Sequence, residues 1–387
     1  MLVIIVLCAL AVVIAGLIRH RNLHLWLMSY LRTASRRGDA ARRAKGTKKQ
    51  DVHVLLCLAD HFEPFHGGVG AEVAQHRVTA WAEQYPRLVG HLRDADGCPP
   101  QHTFFYPLEQ YEPTHLDALS DLCRGGFGEV EVHLHHERDS AEALAQKLSR
   151  YTQLLASRHG LLSRRRDDGR IGYAFIHGNW ALDNSHPSGR FCGVNNELNI
   201  LVQTGCYADF TMPSAPSPTQ SRKINSIYWA LDDPHSPKSH DTGVDVGSAA
   251  QPPGALMMIQ GPLGLDWRRR KWGVLPRIEN GCLQASQEPD MHRLDLWLRA
   301  GVGIAARPDW FFVKLYTHGC AAANQPMLLG RPLVSFYEAL IARAAADRHF
   351  QVHFVTARQM YNLAIAAEAG YQGPVNKVKN FPQIFPI

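Results

Sequence analysis

Four apolar runs in this 387-residue chain each end on histidine or aspartate. Residues 55–59 lead into Asp60, His61, Phe62 and Glu63, and the segment 129–137 carries His133, His135 and His136. Residues 173–176 lead into His177, Gly178, Asn179 and Trp180, and residues 311–316 into Thr317, His318 and Gly319. Imidazole nitrogens and carboxylate oxygens are the usual ligands of zinc and its neighbours, so these run ends point to a shared divalent-metal site. One such histidine is ordinarily a hydrogen-bonded core residue; four run ends of the same kind shift the balance toward a site.

Strand alternation sorts the segment 129–137 into two faces. Val130, Val132 and Leu134 point one way, and Glu131, His133 and His135 the other. His135 then stands at the carboxyl end of its strand, while His136 turns away from it toward the surface. Asp139, just before Ser140, Ala141 and Glu142, is either a helix N-cap or a ligand. Glu131 lies deeper, as a structural ion-pair partner or a catalytic group. Asp209 is placed to support another site residue from behind.

The elements that must carry these groups alternate between short apolar strands and amphipathic helices, the pattern of an α/β domain with parallel strands. Strands are expected at 53–59, 103–106, 129–135, 171–177, 206–211, 255–259, 311–316 and 351–355. Helices are expected near 72–92, 114–124, 140–158, 193–204, 290–300, 332–347 and 357–369. Seven or eight such units over 51–370 predict a single (β/α) barrel of seven or eight strands, whose sites lie at the carboxyl ends of the strands. A doubly wound open sheet is the other solution, but no Gly-x-Gly-x-x-Gly or phosphate loop follows the first strand. The proline-rich stretch 212–254 is too long for an ordinary connection, and is either a disordered insertion or a loop over the site.

Residues 1–18 carry no charged side chain, which predicts a transmembrane anchor. Ten basic residues against Asp39 alone follow in the segment 19–50, which reads as a juxtamembrane flank with the body in the cytoplasm. That flank accounts for more than the whole net charge of +6, so the body is slightly acidic and a nucleic-acid partner is disfavoured. Eight cysteines, none in a Cys-x-x-Cys pair, read as reduced thiols. Residues 371–387 are left as a C-terminal tail.

The pair Asp60-His61, the set Glu131, Val132, His135 and Asp139, and the stretch from Leu315 to His318 resemble the motifs of the polysaccharide deacetylase family. Members of that family are metal-dependent enzymes that remove acetyl groups from N-acetylated glycans on a distorted (β/α) barrel. The resemblance runs over residues 52–363 in the order of its parts. The chain departs from the pattern where His61 replaces an aspartate, and where residues 177–183 replace an Arg-x-Pro-Tyr segment.

The resemblance implies a base at Asp60, a general acid at His318, and a divalent ion, zinc by this analogy, held by His61, His135 and Asp139. His133 and His136 are the neighbouring imidazoles able to take the place of Asp139. Substrate contacts fall to His177, Asn179, Trp180 and Asp209. The partners implied are a glycan, the membrane through the N-terminal helix, and a polysaccharide assembly complex. Two competing classes remain: a catalytically inactive barrel that binds a glycan or a partner, and a metal-dependent hydrolase of another amide or a phosphoester.

Overall fold

The computed structural model describes residues 8, 12, 15–45, 51–380 and 384–386. Strands form at all eight expected places: β1 (Val52–His61), β2 (His102–Pro107), β3 (Gly128–Leu134), β4 (Ile171–His177), β5 (Cys206–Asp209), β6 (Leu256–Ile259), β7 (Trp310–Thr317) and β8 (Phe350–Phe354). The strands β1 to β6 pair in chain order, each parallel to the next. β7 returns to the free edge of β1 over nearly its whole length. β8 and β2 share the other edge in tandem, β8 along Val52–Leu56 and β2 along Ala59–His61.

The order is that of a barrel, but the sheet stays open, which corrects the closed (β/α) barrel expected from the element count. β6 gives its outer edge to the antiparallel strand Ile227–Ala230, which pairs in turn with Val244–Asp245. β7 gives its outer edge to the two-residue strand Cys282–Leu283. No ladder joins β6 to β7 in this 13-stranded mixed sheet. The two edges approach at Gly261, where an added Cβ would lie 2.4 Å from the Lys314 carbonyl oxygen, without exchanging strand hydrogen bonds. The stretch 212–254 is thus structured, and its hairpin is what occupies the edge that closure would need.

Each face of β1 feeds a separate core. Val54, Leu56 and Leu58 pack outward with Trp81, Tyr85 and Leu340 of the surrounding helices. Leu55, Cys57 and Ala59 pack inward with Phe105, Ile176 and Phe312, and with Met360 and Leu363 of the helix Ala357–Glu368. Strands buried on both faces read as continuous apolar runs, which is why their positions are visible in the sequence.

No helix among the described residues is long and apolar enough to cross a membrane, so the expected single-pass anchor and membrane location have no support there. Most of the expected span, residues 1–7, 9–11, 13 and 14, lies outside the described residues. The basic segment is not a free flank. Its helices Leu23–Arg32 and Ala34–Ala44 dock on the body, with Trp26 fully buried against Ala215, Ile224 and Leu263. Asn22 Nδ2 donates to the Pro216 carbonyl at 2.8 Å, and an Arg36 guanidinium nitrogen to that of Asn225 at 2.7 Å. Nor is the C-terminus a loose tail: Lys379 Nζ reaches Asp96 at 2.8 Å, and Ile384–Pro386 pairs with Ser163–Arg165.

Because Trp26 fills an apolar pocket on the body, Trp26→Ala should destabilise the folded chain by about 3–5 kcal/mol. Urea unfolding should show a lower midpoint; an unchanged midpoint would mean that this helix is no part of the folded unit.

Candidate metal centre

The parallel register brings the carboxyl ends of β1, β3 and β7 together. His61 pairs with Phe105, and Phe105 with Glu131, so that Glu63, two residues on, stands level with His133. On the other side Asp60 pairs with Thr317, which places His318 beside His61. The His61 and His318 rings stack at 4.7 Å, and the His133 ring meets that of His61 edge-on at 4.9 Å.

Glu63 is the hub of the cluster. Its Oε1 lies 3.2 Å from His133 Nε2 and 3.5 Å from His135 Nε2, and its Oε2 lies 3.1 Å from His66 Nδ1. The opposite ring nitrogens are already committed. His133 Nδ1 donates to the Ile176 carbonyl at 2.8 Å, and His135 Nδ1 donates to Glu109 Oε1 at 2.5 Å. The tautomers assigned by those partners turn two bare Nε2 lone pairs toward one carboxylate oxygen. Acceptors so disposed need a proton or a cation between them. Two sets of ligand atoms, His61/Glu63/His318 and Glu63/His133/His135, each lie within 4.8 Å of one another and could hold a metal ion. They share Glu63, so the residues fit one ion with a choice of ligands or two ions bridged by a carboxylate.

Electrostatics agree with that fit. Burial alone would raise the Glu63 carboxyl, but with a proton between those facing acceptors the hydrogen bonds from His133 and His66 and the nearby imidazoles hold it well below the carboxylate range. Burial, reinforced by its histidine neighbours, pushes His61 well below the ordinary histidine value; burial also lowers His318. Both rings are therefore kept neutral, the form that binds metal. Burial also opposes charge on His135, but the Glu109 carboxylate outweighs it and raises that ring. The carboxylate behind a ligating histidine is the arrangement that orients such ligands and makes them more basic.

Of the residues proposed from sequence, His61, His135 and His318 come together here. Trp180 joins them as a half-buried wall, its ring 5.6 Å from His61 and 5.8 Å from His318. Asp60 does not face the cluster. Alternation turns it outward, where its Oδ2 meets His102 Nε2 at 2.9 Å and its Oδ1 accepts from the Gly319 N–H at 2.6 Å. An added Cβ at Gly319 would meet Asp60 Oδ2 at 2.0 Å, so glycine is required beside this carboxylate. Asp60 thus positions the His318 turn rather than reaching a substrate.

Asp139 is also absent from the cup. It accepts from Lys147 at 2.7 Å and lies 3.3 Å from His136 Nδ1, while Ser140 caps the helix Ala141–His159. His136 is buried, not on the surface, and shares Glu197 with His177 on the far side of β3. Asn179 is exposed beyond them. Asp209 is buried, where it fixes Thr211, whose hydroxyl receives the His177 backbone N–H at 2.9 Å. Glu63, His66 and Glu109 as members of the cup, and Cys192 and Glu197 beyond it, escaped the sequence reading. Glu63 alone left a signal, two residues past His61 and on the same face.

No protein-family model matches this chain, and no curated protein sequence matches it.

Glu63→Gln should strip metal from the cup, whereas Asp60→Asn should keep it while costing about 1–3 kcal/mol of stability, because an amide cannot accept both buried hydrogen bonds. Metal content measured beside urea unfolding separates the two. A second outcome concerns Glu131, whose carboxylate accepts from Ala174 N–H at 2.6 Å and from the Tyr207 hydroxyl. Burial raises it to about 8. With the folded value above the ordinary one, its stabilising share is complete below the usual carboxyl range and is lost as pH rises through about 8. Glu131→Gln, which cannot ionise but loses one of the two accepted hydrogen bonds, should lower the urea midpoint throughout and flatten its fall over that window; an unaltered slope would assign the fall to other groups.

Proposed function

We propose that this chain is a divalent-metal-dependent hydrolase that uses zinc at the Glu63 cup and cleaves an acyl amide, an N-acetylated glycan being the first substrate class to test. One observation carries the proposal: a buried carboxylate faces the Nε2 atoms of His133 and His135, whose Nδ1 atoms are already bonded, beside the stacked neutral rings of His61 and His318, at the open end of parallel strands. Histidine and carboxylate ligands suit zinc. When bound there, such an ion polarises an acyl carbonyl and lowers the pKa of its water.

The chain's own residues supply the rest. His61, Glu63 and His318, with His133 and His135 opposite, hold the centre. Glu109, one-third exposed, accepts from His135 Nδ1 and so orients that ring from the side away from the centre. His66 is open to solvent, hydrogen-bonded to Glu63, and has its ring 6.0 Å from that of His318. It can return a proton to the departing amine as the carbon–nitrogen bond breaks. His66 thus takes the proton-donor role that His318 holds in the deacetylase pattern, while Asp60, the base of that pattern, is turned away. Trp180, half-buried with the buried Tyr316 ring edge-on behind it at 6.3 Å, gives one side of the mouth an aromatic face suited to a sugar ring.

The test is acetate release from N-acetylated oligosaccharides by the full chain, before and after chelation and with zinc restored. Activity should vanish on chelation, return with zinc, and be lost in Glu63→Gln together with the metal. Glu109→Gln, which loosens the His135 ring, should lower metal affinity or turnover by about 10–100-fold. Metal binding at the cup with no acetate released would overturn the deacetylase reading and leave a glycan-binding role, which the outward turn of Asp60 favours.

A further inference from the structure

A second cluster lies back to back with the cup. His135 and His136 are consecutive, and so are His177 and Gly178; an added Cβ at Gly178 would sit 2.4 Å from His135 Cδ2, so the two clusters are separated by little more than one strand end. The ligand atoms of His136, His177, Cys192 and Glu197 all lie within 4.8 Å of one another, and all four residues are buried. None of them belongs to the cup.

The bonding of these side chains is incomplete in a particular way. His177 Nδ1 donates to the Gly178 carbonyl, which leaves Nε2 as a bare lone pair. That atom is fully buried, has no hydrogen-bond partner, and points at Glu197 Oε1 3.5 Å away. His136 Nε2 approaches the same oxygen at 3.1 Å, and its Nδ1 lies 3.3 Å from Asp139 Oδ2. Glu197 Oε2 also faces Cys192 Sγ at 3.5 Å, and the Val194 N–H donates to that sulfur at 3.4 Å. Burial and the Glu197 carboxylate push the Cys192 thiol well above its ordinary value, so without a cation it stays a thiol and donates to that carboxylate. Two imidazoles, a carboxylate and a sulfur therefore converge on one small volume with no Lys or Arg among them. The Asp183 N–H meets Glu197 Oε2, but nothing among the described residues meets His177 Nε2, and a buried bare nitrogen that faces a carboxylate oxygen is costly in a protein interior unless a cation sits between them.

We propose that His136, His177, Cys192 and Glu197 form a closed structural site for a zinc-class divalent cation, distinct from the cup. Four protein ligands, with no exposed atom to admit a substrate, are the mark of a structural rather than a catalytic centre. Binding forms one sulfur–metal bond and releases the Cys192 thiol proton to solvent.

The site has something to hold. Between β4 and the helix Glu197–Gln203 the chain follows an irregular course, with Asn179, Trp180, Asp183, Asn184 and Phe191 all at positive φ, where side chains with a Cβ are disfavoured. Asp183 N–H donates to Glu197 Oε2, and the Lys238 N–H donates to the Asp183 carbonyl at 2.7 Å. An ion joining His177, Cys192 and Glu197 would pin both ends of this loop, which carries Trp180 to the mouth of the cup.

Only the second site contains sulfur, so the two centres can be told apart whatever becomes of the proposed hydrolase. Cobalt added to the chelator-treated full chain should give a thiolate-to-metal absorption in the near ultraviolet. Glu63→Gln should retain that band, and Cys192→Ser should abolish it with the loss of about one equivalent of metal. Absence of the band from the unmutated chain, or its survival in Cys192→Ser, would overturn the proposal. Should Cys192→Ser fail to fold, zinc-edge absorption on the Glu63→Gln chain decides: a sulfur neighbour at about 2.3 Å supports the site, and nitrogen and oxygen neighbours alone refute it.

Discussion

Parallel pairing around β1 is the constraint on which the rest of the molecule depends. The strand is held by β7 along one edge and by β8 and β2 in tandem along the other, and both its faces are buried. Its register cannot slip by one residue without exchanging the inner and outer sets. That rigidity sets His61 and Glu63 inward at a fixed height, opposite His133 and beside His318. It sets Asp60 outward with equal firmness, into a buried contact with His102 and the backbone of Gly319. One alternation thus supplies both a ligand and the brace for its neighbour's turn.

The carboxylate of Glu63 then organises the mouth electrostatically. A buried carboxylate requires compensation, and no arginine or lysine among the described residues supplies it; His66 meets one oxygen, and the other, facing His133 and His135 Nε2, is left to a proton or a cation. The same logic recurs at Glu197, one strand end away, with a cysteine added. The strand end at residues 133–136 serves both places, since His133 and His135 face one cluster and His136 the other. Two chemically different clusters separated by so little protein make the loop 178–196 a shared wall between them.

The strand positions were legible because doubly buried parallel strands leave uninterrupted apolar runs, and the histidines at their ends stand out for the same reason. Alternation within 129–137 correctly paired Glu131, His133 and His135 on one face. It misjudged His136, because period-two reasoning opposes a residue to its neighbours without saying whether solvent or another cluster lies beyond. The motif resemblance favoured Asp60 and Asp139 by spacing along the chain, yet spacing is silent about which side of a strand or helix end a carboxylate takes.

What the sequence determined by itself is the α/β alternation, the eight strands and the presence of metal-ligating groups at their carboxyl ends, all local properties of residue type and period. Tertiary structure alone decided how those ends are partnered. Barrel closure failed because residues 227–245 occupy the edge of β6, a long-range pairing that no local pattern encodes. The basic segment docked on the body because Trp26 found an apolar pocket formed by residues nearly two hundred positions or more away. Glu63, Glu109, Cys192 and Glu197 are ordinary in the chain and acquire their roles only where folding brings buried lone pairs face to face, at distances that linear order does not contain.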